Sequence, residues 1–412
     1  MAAQLDWPTK RLGDLAEFRN GVNYNKTSFG EGVKVVGVAD FQDYTKPRYA
    51  ELDQINPEGI VTERNILRDG DIVFVRSNGN RELIGRSLFI EQPPEEITHS
   101  AFTIRLRFTA REVHPKFYAY CFRTRLIRQA LTAQGGGTNI NNLNQDILSA
   151  LEVPHPPLPI QRRIAGILSA YDELIENSQR RIKVLESMAR AIYREWFVHF
   201  RFPGHESISR VSSPIGDIPQ GWEAKKLGDL CELRKDPYKD VDHAGLPLLD
   251  MARMPSRSLA PGDTGTPAEL TTSRILFQRG DTLFGAIRCY LHKVVAAHYP
   301  GVTNTSVLVL RPRSPSFRSL VAIVASDIDT IRWAETQSTG TKMPVINWGV
   351  FQSMPSPIPS KALAQAFEDI AGPILDEIGI LATQIQTLRR TRDLLLPRLL
   401  TGQIELDELE AA

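Results

Sequence analysis

Four polar segments carry the side chains whose types are best suited to binding another molecule. In the first half of the chain, one follows Gly70-Asp71 and an apolar stretch, and another follows the glycines 135–137. The second half has corresponding segments after Gly280-Asp281 and around Gly340. Arginine pairs with guanine and asparagine with adenine through two hydrogen bonds, whereas threonine and lysine also contact phosphates. The candidate DNA-contacting residues are Arg76, Ser77, Asn78, Asn80, Arg81, Thr138, Asn139, Asn141, Asn142, Arg288, Tyr290, His292, Thr341 and Lys342.

The alternative for each of these segments is an ordinary turn, because Asn and Gly are common turn residues. The sequence also contains no Walker loop, no Gly-x-Ser-x-Gly turn and no His-Glu-x-x-His motif. Asp236-Pro237-Tyr238 lacks one proline of the Asp-Pro-Pro-Tyr motif of adenine methyltransferases. Asp217 and Glu223 could form a nuclease carboxylate pair, but the first half has Pro8 in place of Glu223. We predict a non-catalytic protein without a metal or cofactor of its own, with a single-chain nuclease or methyltransferase as the alternative.

A long internal repeat organises the chain. Residues 7–19 and 222–234 are identical at eight of thirteen positions. Gly70 and Asn144 have counterparts 210 and 203 residues later, at Gly280 and Asn347. Solenoid repeats are only about 20–50 residues long. We therefore predict a duplicated domain, with an internal twofold relation between its copies.

Each copy is predicted to be a mixed α/β domain, over residues 1–155 and 206–359. Runs of β-branched and aromatic residues between turn residues predict strands, and apolar residues at helical spacing predict a helix. In the first domain the predicted strands are 33–38, 71–75, 87–90 and 102–108, and the predicted helix is 115–132.

Apolar residues at alternating spacings of four and three follow each domain. This 3.5-residue repeat predicts coiled-coil helices within residues 156–205 and 360–412. The predicted seam residues are Ile164, Leu168, Tyr171, Ile175, Ile182, Leu185, Ile192, Ile374, Ile378, Leu381, Ile385, Leu388 and Leu395. The twofold relation makes the two helices antiparallel partners; the alternative is that each packs on its own domain. A first helix of about 50 Å would hold one domain at each end.

Four residues distinguish the second helical segment. Ser360 is the predicted N-cap. Pro373 and Pro397 predict an ordered helix shorter than the first, since proline interrupts the helical hydrogen-bond pattern. Arg392 occupies a seam position, where it would either fix the register or face a partner.

Composition excludes several classes of protein. A net charge of +1 argues against coating nucleic acid through bulk charge. No apolar run reaches the ~20 residues of a membrane span, and the N-terminus lacks the features of a signal peptide. The three cysteines fit no metal-ligand spacing and favour a reducing compartment. We expect a cytoplasmic protein.

The pattern Trp-x-x-Lys-x-Leu-Gly-Asp-Leu, which opens each repeat, resembles the target-recognition domains of the specificity subunits of type I restriction-modification systems. Residues 156–168 resemble that family's Pro-Leu-Pro-x-Gln-x-x-Ile entry into the first conserved helix, and residues 394–404 resemble its C-terminal signature. The second helix departs from the pattern, because Pro359 and Gln365 are farther apart than in the family's Pro-x-Gln junction.

The resemblance implies that each domain reads one half of a bipartite DNA site and that the coiled coil sets the spacing. It implies two methyltransferase subunits as partners, which bind S-adenosylmethionine, and a restriction motor-nuclease subunit. It also implies that this chain is itself non-catalytic. The remaining alternative is a coiled-coil interaction protein with no role on DNA.

Overall fold

The computed structural model of the protein describes residues 7–41, 45–124, 127, 129–131, 142–239, 243 and 245–404. The chain divides into two compact units. Unit 1 contains the residues up to Asp172 and those from Arg390 onward, and unit 2 contains Glu173–Arg389. Each of two long helices therefore contributes to both units. No helix in the described part of the chain is long and apolar enough to cross a membrane.

Unit 1 is a mixed α/β unit. Its elements are β1 (Thr9–Arg11), β2 (Ala16–Asn20), β3 (Phe29–Val36), β4 (Asp53–Ile55), β5 (Ile72–Val75), β6 (Ser87–Phe89), β7 (Ile97–His99), β8 (Thr103–Phe108), α1 (Pro115–Cys121), α2 (Gln145–Ala150), β9 (Glu152–Pro154) and the start of α3 (Leu158–Tyr193). The main antiparallel sheet has the order β2-β8-β5-β6, and a second sheet has the order β4-β3-β7. The four predicted strands correspond to β3, β5, β6 and β8 and are confirmed.

Strand β5 is buried on both faces. Ile72 and Phe74 belong to the core that includes α1 and α2, whereas Val73 and Val75 belong to a second core with Val36. Successive side chains of a strand point to opposite faces. One short strand thus serves two cores, which explains why its sequence is continuously apolar instead of alternating with polar residues.

Unit 2 repeats the main sheet of unit 1. Its elements are β10 (Arg210–Val211), β11 (Ile218–Pro219), β12 (Glu223–Lys226), α4 (Leu227–Leu230), β13 (Cys231–Arg234), β14 (Arg274–Phe277), β15 (Thr282–Gly285), β16 (Val294–Ala296), β17 (Gly301–Asn304), β18 (Val307–Pro312), α5 (Arg318–Ser326), α6 (Ile328–Thr336), α7 (Trp348–Phe351), β19 (Pro355–Ile358) and most of α8 (Lys361–Thr401). The main sheet has the order β13-β18-β15-β16, which matches β2-β8-β5-β6 strand for strand. The predicted duplication of a mixed α/β domain is therefore confirmed.

The repeated Gly-Asp motif forms the turn before the central strand of each unit. Gly70 has a φ of +85°, which favours glycine. Asp71 is buried and accepts hydrogen bonds from the Arg68 backbone N–H (2.7 Å) and from Arg107 Nε and Nη2 (2.7 and 2.6 Å). This two-bond ion pair joins β5 to the neighbouring strand β8.

Unit 2 builds the same turn with the same chemistry. Gly280 has a φ of +92°. Asp281 accepts from the Gln278 backbone N–H at 2.7 Å and from Arg311 Nε and Nη2 at 2.7 and 2.8 Å. The motif is therefore part of the framework and is not available to bind another molecule.

The helix predicted over 115–132 is interrupted. Helix α1 ends at Cys121, and residues 122–124 form a turn in which the Thr124 hydroxyl donates to the Cys121 carbonyl at 2.7 Å and accepts from the Ile127 N–H at 3.4 Å. At the corresponding position of unit 2, Asp327 separates α5 from α6 and accepts from the Asp329 N–H at 2.9 Å. A capping side chain starts a second helix here, which helical spacing alone did not reveal.

The two long helices are continuous elements. Ser360 Oγ accepts a hydrogen bond from the Leu363 N–H at the start of α8, which confirms the predicted N-cap. The prediction that this helix is the shorter one is wrong, because α8 has 41 residues, whereas α3 has 36 and is continued by the five-residue π-helical turn Arg194–Val198. Pro373 and Pro397 both lie on the exposed face of α8. Their rings therefore do not disturb the packed face. The apolar contacts of that face stabilise the helix, so that it continues past both prolines.

The helices pair antiparallel in each unit. In unit 2, Arg181 of α3 binds Glu377 of α8 at 2.7 Å, and Trp196, farther along the chain, packs against Phe367. In unit 1, Asp172 binds Arg392, and the earlier part of α3 shares a core with the end of α8. All thirteen predicted seam residues are buried or half-buried. The helices thus pack on each other within each unit, and not only on the adjacent sheets.

We expect Asp71→Ala and Asp281→Ala each to lower the free energy of unfolding by about 3 kcal/mol, because each leaves an arginine and a backbone N–H without their buried acceptor. Urea unfolding of the full chain measures the loss. Arg332→Ala is the control, since its ion pair with Asp329 is about 70% exposed (71% and 67%) and should contribute less than about 1 kcal/mol. A loss at Asp71 or Asp281 no larger than that of the control would contradict the framework role.

Candidate nucleic-acid interface

In unit 2 the structure brings the two predicted polar segments together. The Ala286 N–H, directly after β15, donates to the Ser306 carbonyl at 2.9 Å, and the Ala286 carbonyl accepts from the Ile346 N–H at 3.0 Å. The Arg288 N–H donates to the Pro344 carbonyl at 2.7 Å. The segment after β15 therefore lies between the turn before β18 and the segment 341–346. Three chain segments, and not two, form this surface.

Two of these backbone hydrogen bonds have equivalents in unit 1. The Arg76 N–H, directly after β5, donates to the Phe102 carbonyl at 2.8 Å, and the Arg76 carbonyl accepts from the Leu143 N–H at 2.9 Å. Arg76, Phe102 and Leu143 correspond to Ala286, Ser306 and Ile346 in the repeat. At the same end of its central strand, each unit thus holds the neighbouring loops with two equivalent backbone hydrogen bonds, while the side chains differ. The loop that precedes Asn142 in unit 1 lies outside the described residues. We call these two sets of loops the loop surfaces.

The predicted residues of unit 1 fall partly on its loop surface. Arg76, Ser77 and Asn78 are half-buried, and Asn80 and Asn142 are exposed. The side chain of Arg81 and all of Thr138, Asn139 and Asn141 lie outside the described residues.

The Asn78 and Asn80 amide oxygens hold the loop itself. They accept hydrogen bonds from the N–H groups of Asn80 and Glu82, at 2.8 and 3.1 Å. A bidentate contact with adenine needs both the oxygen and the nitrogen of an amide. Each of these oxygens has two lone pairs, of which the loop uses one, so the hydrogen bonds orient the amides without excluding such a contact.

In unit 2 the structure separates one predicted residue from the others. Arg288, Tyr290, Thr341 and Lys342 are exposed. His292 is buried, and its Nε2 is 2.8 Å from the Ser326 carbonyl. Burial lowers the pKa of His292, so the ring is neutral and packs in the interior. It therefore does not reach the loop surface, because the short 3-10 helix Cys289–Leu291 turns the chain inward after Tyr290.

Arg288 combines exposure with an unusual backbone. Its φ is +52°, in the left-handed region that side chains other than Asn, Asp and Gly rarely adopt. The hydrogen bond from its N–H to Pro344 and the 3-10 helix that follows hold it there. Backbone strain of this kind is common at binding sites, where it fixes the direction of a side chain.

The turns before β8 and β18 are the part of the loop surfaces that the sequence pattern did not identify. In unit 1 the turn is held by the Thr103 N–H and hydroxyl, which both donate to the Ser100 carbonyl, at 2.9 and 2.7 Å. The buried His99 Nδ1 lies 2.9 Å from the Thr103 hydroxyl. Burial, together with the positive charges of Arg105 and Arg107, lowers the pKa of His99 to about 3. The ring that supports this turn is therefore neutral.

A polar cluster interrupts the apolar seam in unit 1. Asp172 of α3 accepts hydrogen bonds from Tyr120 (2.8 Å) and from Arg392 of α8 (2.6 Å), with Arg123 at 3.4 Å. Burial by itself favours the neutral acid, but the Arg392 and Tyr120 hydrogen bonds and the charge of Arg123 outweigh it and hold the pKa of Asp172 below its usual range. Arg392 therefore fixes the register of α8 against α3 in this unit.

The glutamine of the Pro-x-Gln motif orders the start of α3. The Gln161 side chain is buried; its Oε1 accepts from the His114 N–H at 2.8 Å, and its Nε2 donates to the carbonyls of Pro156 and Glu112 at 2.8 and 3.1 Å. At the start of α8, Gln365 is exposed and binds only Asp369. Glu368 instead contacts the start of α5 through the Ser319 N–H at 2.8 Å. The two helices thus enter their units through different contacts.

Comparisons with known proteins agree on one family. Residues 4–187 match the description "Type I restriction modification DNA specificity domain". The chain is 23% identical to the type I restriction enzyme MjaIX specificity subunit of Methanocaldococcus jannaschii, over 98% of this chain and 95% of that protein. It is 20% identical to the HindI specificity subunit of Haemophilus influenzae, over 97% of this chain and 100% of that protein. Its fold is similar to the crystal structure of a type I S subunit from M. genitalium, with a TM-score of 0.58 at 16% identity and 96% coverage of both chains.

We expect acidification to destabilise the protein through His99. Because its folded-state pKa is depressed, the unfolded chain binds a proton below about pH 6.5 that the folded protein does not. As the pH falls from about 6.5 to about 3, His99 should therefore lower the free energy of unfolding by about 1.4 kcal/mol per pH unit. His99→Thr, which introduces the residue of unit 2 (Thr303), should remove this part of the slope in urea unfolding at pH 7, 6 and 5. Thr103→Val keeps the ring and should keep the slope; equal slopes for wild type and His99→Thr would contradict the assignment.

We expect Arg392→Met to lower the free energy of unfolding by about 2 kcal/mol, since it leaves the half-buried Asp172 carboxylate without its closest cation. The loss should disappear when Asp172→Asn is already present, as a double-mutant cycle would measure. Arg181→Met, which breaks the exposed pair with Glu377 on the same helices, is the matched control and should cost less than about 1 kcal/mol. Additive effects at positions 172 and 392 would exclude the register role.

Proposed function

We propose that this chain is a specificity subunit of a type I restriction-modification system and that its two units each read one half of a bipartite double-stranded DNA site. The similarity to specificity subunits over nearly the whole chain and the matching fold support this proposal. The specificity subunit is the non-catalytic component of its complex, in agreement with the prediction that this chain is not an enzyme. The observation that carries the proposal is the pair of loop surfaces, with the same backbone hydrogen bonds and different side chains.

The chemistry of the loop surfaces supports base recognition. A shared backbone holds both surfaces in the same way, while exposed side chains decide which base edges each can contact. Unit 2 offers Arg288, Tyr290 and Lys342, and unit 1 offers Arg76 and the amide groups of its asparagines. Sets of donors that differ in this way suit two different half-site sequences, as a bipartite site requires.

The outer faces of the long helices suit the recruitment of methyltransferase subunits. In unit 2, Val184 and Met188 of α3 are exposed one turn apart, and Leu174 of α3 and Ile380 of α8 are also exposed. Apolar side chains left in water on paired helices are typical of protein interaction surfaces. We propose that two methyltransferase subunits, which would supply S-adenosylmethionine, and a restriction motor-nuclease subunit assemble on this chain.

We also propose that the paired helices determine the spacing between the half-sites. The 36 residues of α3 are about 54 Å long at 1.5 Å per residue. One turn of DNA is about 34–36 Å, so a helix of this length is compatible with half-sites separated along one face of the duplex. The antiparallel pairing and the Asp172–Arg392 register contact support this role.

The test is adenine methylation across the genome of the host, with the gene intact and deleted. Loss of methylation at a split motif with a fixed gap supports the proposal and identifies both half-sites. An unchanged methylation pattern contradicts it and favours a coiled-coil interaction protein without a DNA role.

Arg76→Ala and Arg288→Ala should each relax base preference in one half-site, and the two variants should affect opposite halves. Loss of one bidentate contact is expected to cost about 1–3 kcal/mol of discrimination at that base pair. Methylome sequencing of complemented strains measures both changes. Arg111→Ala and Arg313→Ala are the matched controls. These exposed arginines come after the last residues of β8 and β18, whereas the loop surfaces lie before the first residues of the same strands. If both variants relax the same half-site, the assignment of one half-site to each unit is wrong.

A further inference from the structure

Phe102 is the most exposed large apolar side chain of the described residues. Sixty-two per cent of its surface is accessible. It lies in the turn before β8, and its carbonyl accepts the hydrogen bond from the Arg76 N–H that holds the unit 1 loop surface together. Single exposed apolar residues are common on proteins, so exposure alone indicates nothing. The position of Phe102 on the loop surface is what requires an explanation.

The turn that carries Phe102 is rigid. The Thr103 N–H and hydroxyl bind the Ser100 carbonyl, and the Ala101 N–H donates to the Val22 carbonyl at 2.8 Å. Beneath it, a Cβ on Gly21 would lie 2.2 Å from the His99 carbonyl oxygen, so only glycine permits this close packing. An aromatic ring on such a turn loses little freedom when it binds, which favours its use as an anchor.

Unit 2 has the same turn without the aromatic ring. Ser306 occupies the position of Phe102, and its carbonyl accepts the equivalent hydrogen bond from the Ala286 N–H. The backbone is therefore kept while the side chain changes from a large apolar group to a small polar one. The apolar contact that Phe102 can make is a property of unit 1 and distinguishes the two loop surfaces chemically.

We propose that Phe102 packs against the 5-methyl group of a thymine in the half-site read by unit 1 and is a specificity-determining residue of that unit. This inference rests on the proposed function. A phenyl ring has no donor or acceptor with which to form hydrogen bonds to phosphates or sugars. On the base edges of the major groove, the thymine methyl group is the apolar feature, and phenylalanine is one of the side chains that contact it. Phe102 thus adds an apolar component to recognition by the neighbouring Arg76.

The test replaces thymine with deoxyuridine, which lacks only that methyl group. The half-site of unit 1 is the one whose base preference Arg76→Ala relaxes. Duplexes carrying deoxyuridine at one thymine position at a time are then titrated with the complex of the full chain and its methyltransferase subunits. We expect the wild-type complex to lose about fourfold in affinity at one position of that half-site, the effect of one buried methyl group. Phe102→Ser, which introduces the residue of unit 2, should bind both duplexes equally.

Two controls accompany the measurement. Phe29→Ser removes another exposed phenylalanine of unit 1, on strand β3, and should keep the wild-type ratio between thymine and deoxyuridine. Deoxyuridine in the other half-site should affect wild type and Phe102→Ser alike. The thermal midpoint of Phe102→Ser should equal that of the wild type, since the side chain contributes little to the core.

Three outcomes would overturn the inference. One is an unchanged thymine preference in Phe102→Ser. Another is a loss of affinity by Phe102→Ser that is the same for every duplex, which would indicate that the Phe102 ring inserts between stacked base pairs. The third is a wild-type complex that tolerates deoxyuridine at every position. Failure of the proposed function is distinguishable from all three, because then no split methylation motif depends on the gene.

Discussion

A buried ion pair at the start of the central strand is the constraint on which each unit depends. Asp71 with Arg107, and Asp281 with Arg311, join that strand to its antiparallel neighbour and close the turn before it. The central strand is buried on both faces, so any error in its register would disturb two cores at once. The loop surface lies at the other end of the same strand. Its geometry therefore depends on a contact that takes no part in binding.

This arrangement separates stability from specificity. The ion pair, the two-sided strand and the backbone bonds of the loop surface are the same in both units, whereas the exposed side chains on the loops differ. Substitutions on the loops can change what is recognised without affecting the buried contacts. The proposed reading of two different half-sites requires such a separation.

The long helices combine apolar packing with a few polar contacts. The seam is apolar over most of its length, but apolar contacts alone tolerate a shift of one helix along the other. A half-buried carboxylate that binds an arginine from the opposite helix does not tolerate it, because a shift would leave a charge unpaired. In unit 1, Asp172 and Arg392 provide this restriction. The π-helical turn Arg194–Val198, which continues α3 in unit 2, is ordered differently, by aromatic rings such as Phe197, whose centre is 4.8 Å from that of Phe367.

The sequence by itself determined the duplicated fold, the positions of the main strands and the seam of the helices. These features depend on periodicity and on repeated motifs, which are local and can be read along the chain. Only the tertiary structure decided that Phe102 lies on the loop surface. The strand predicted over residues 102–108 included Phe102, but β8 begins at Thr103. The tertiary structure also decided that His292 is buried and that Arg392 pairs with Asp172. Each of these depends on hydrogen bonds or contacts between residues far apart in the chain, and no local pattern encodes such a partner.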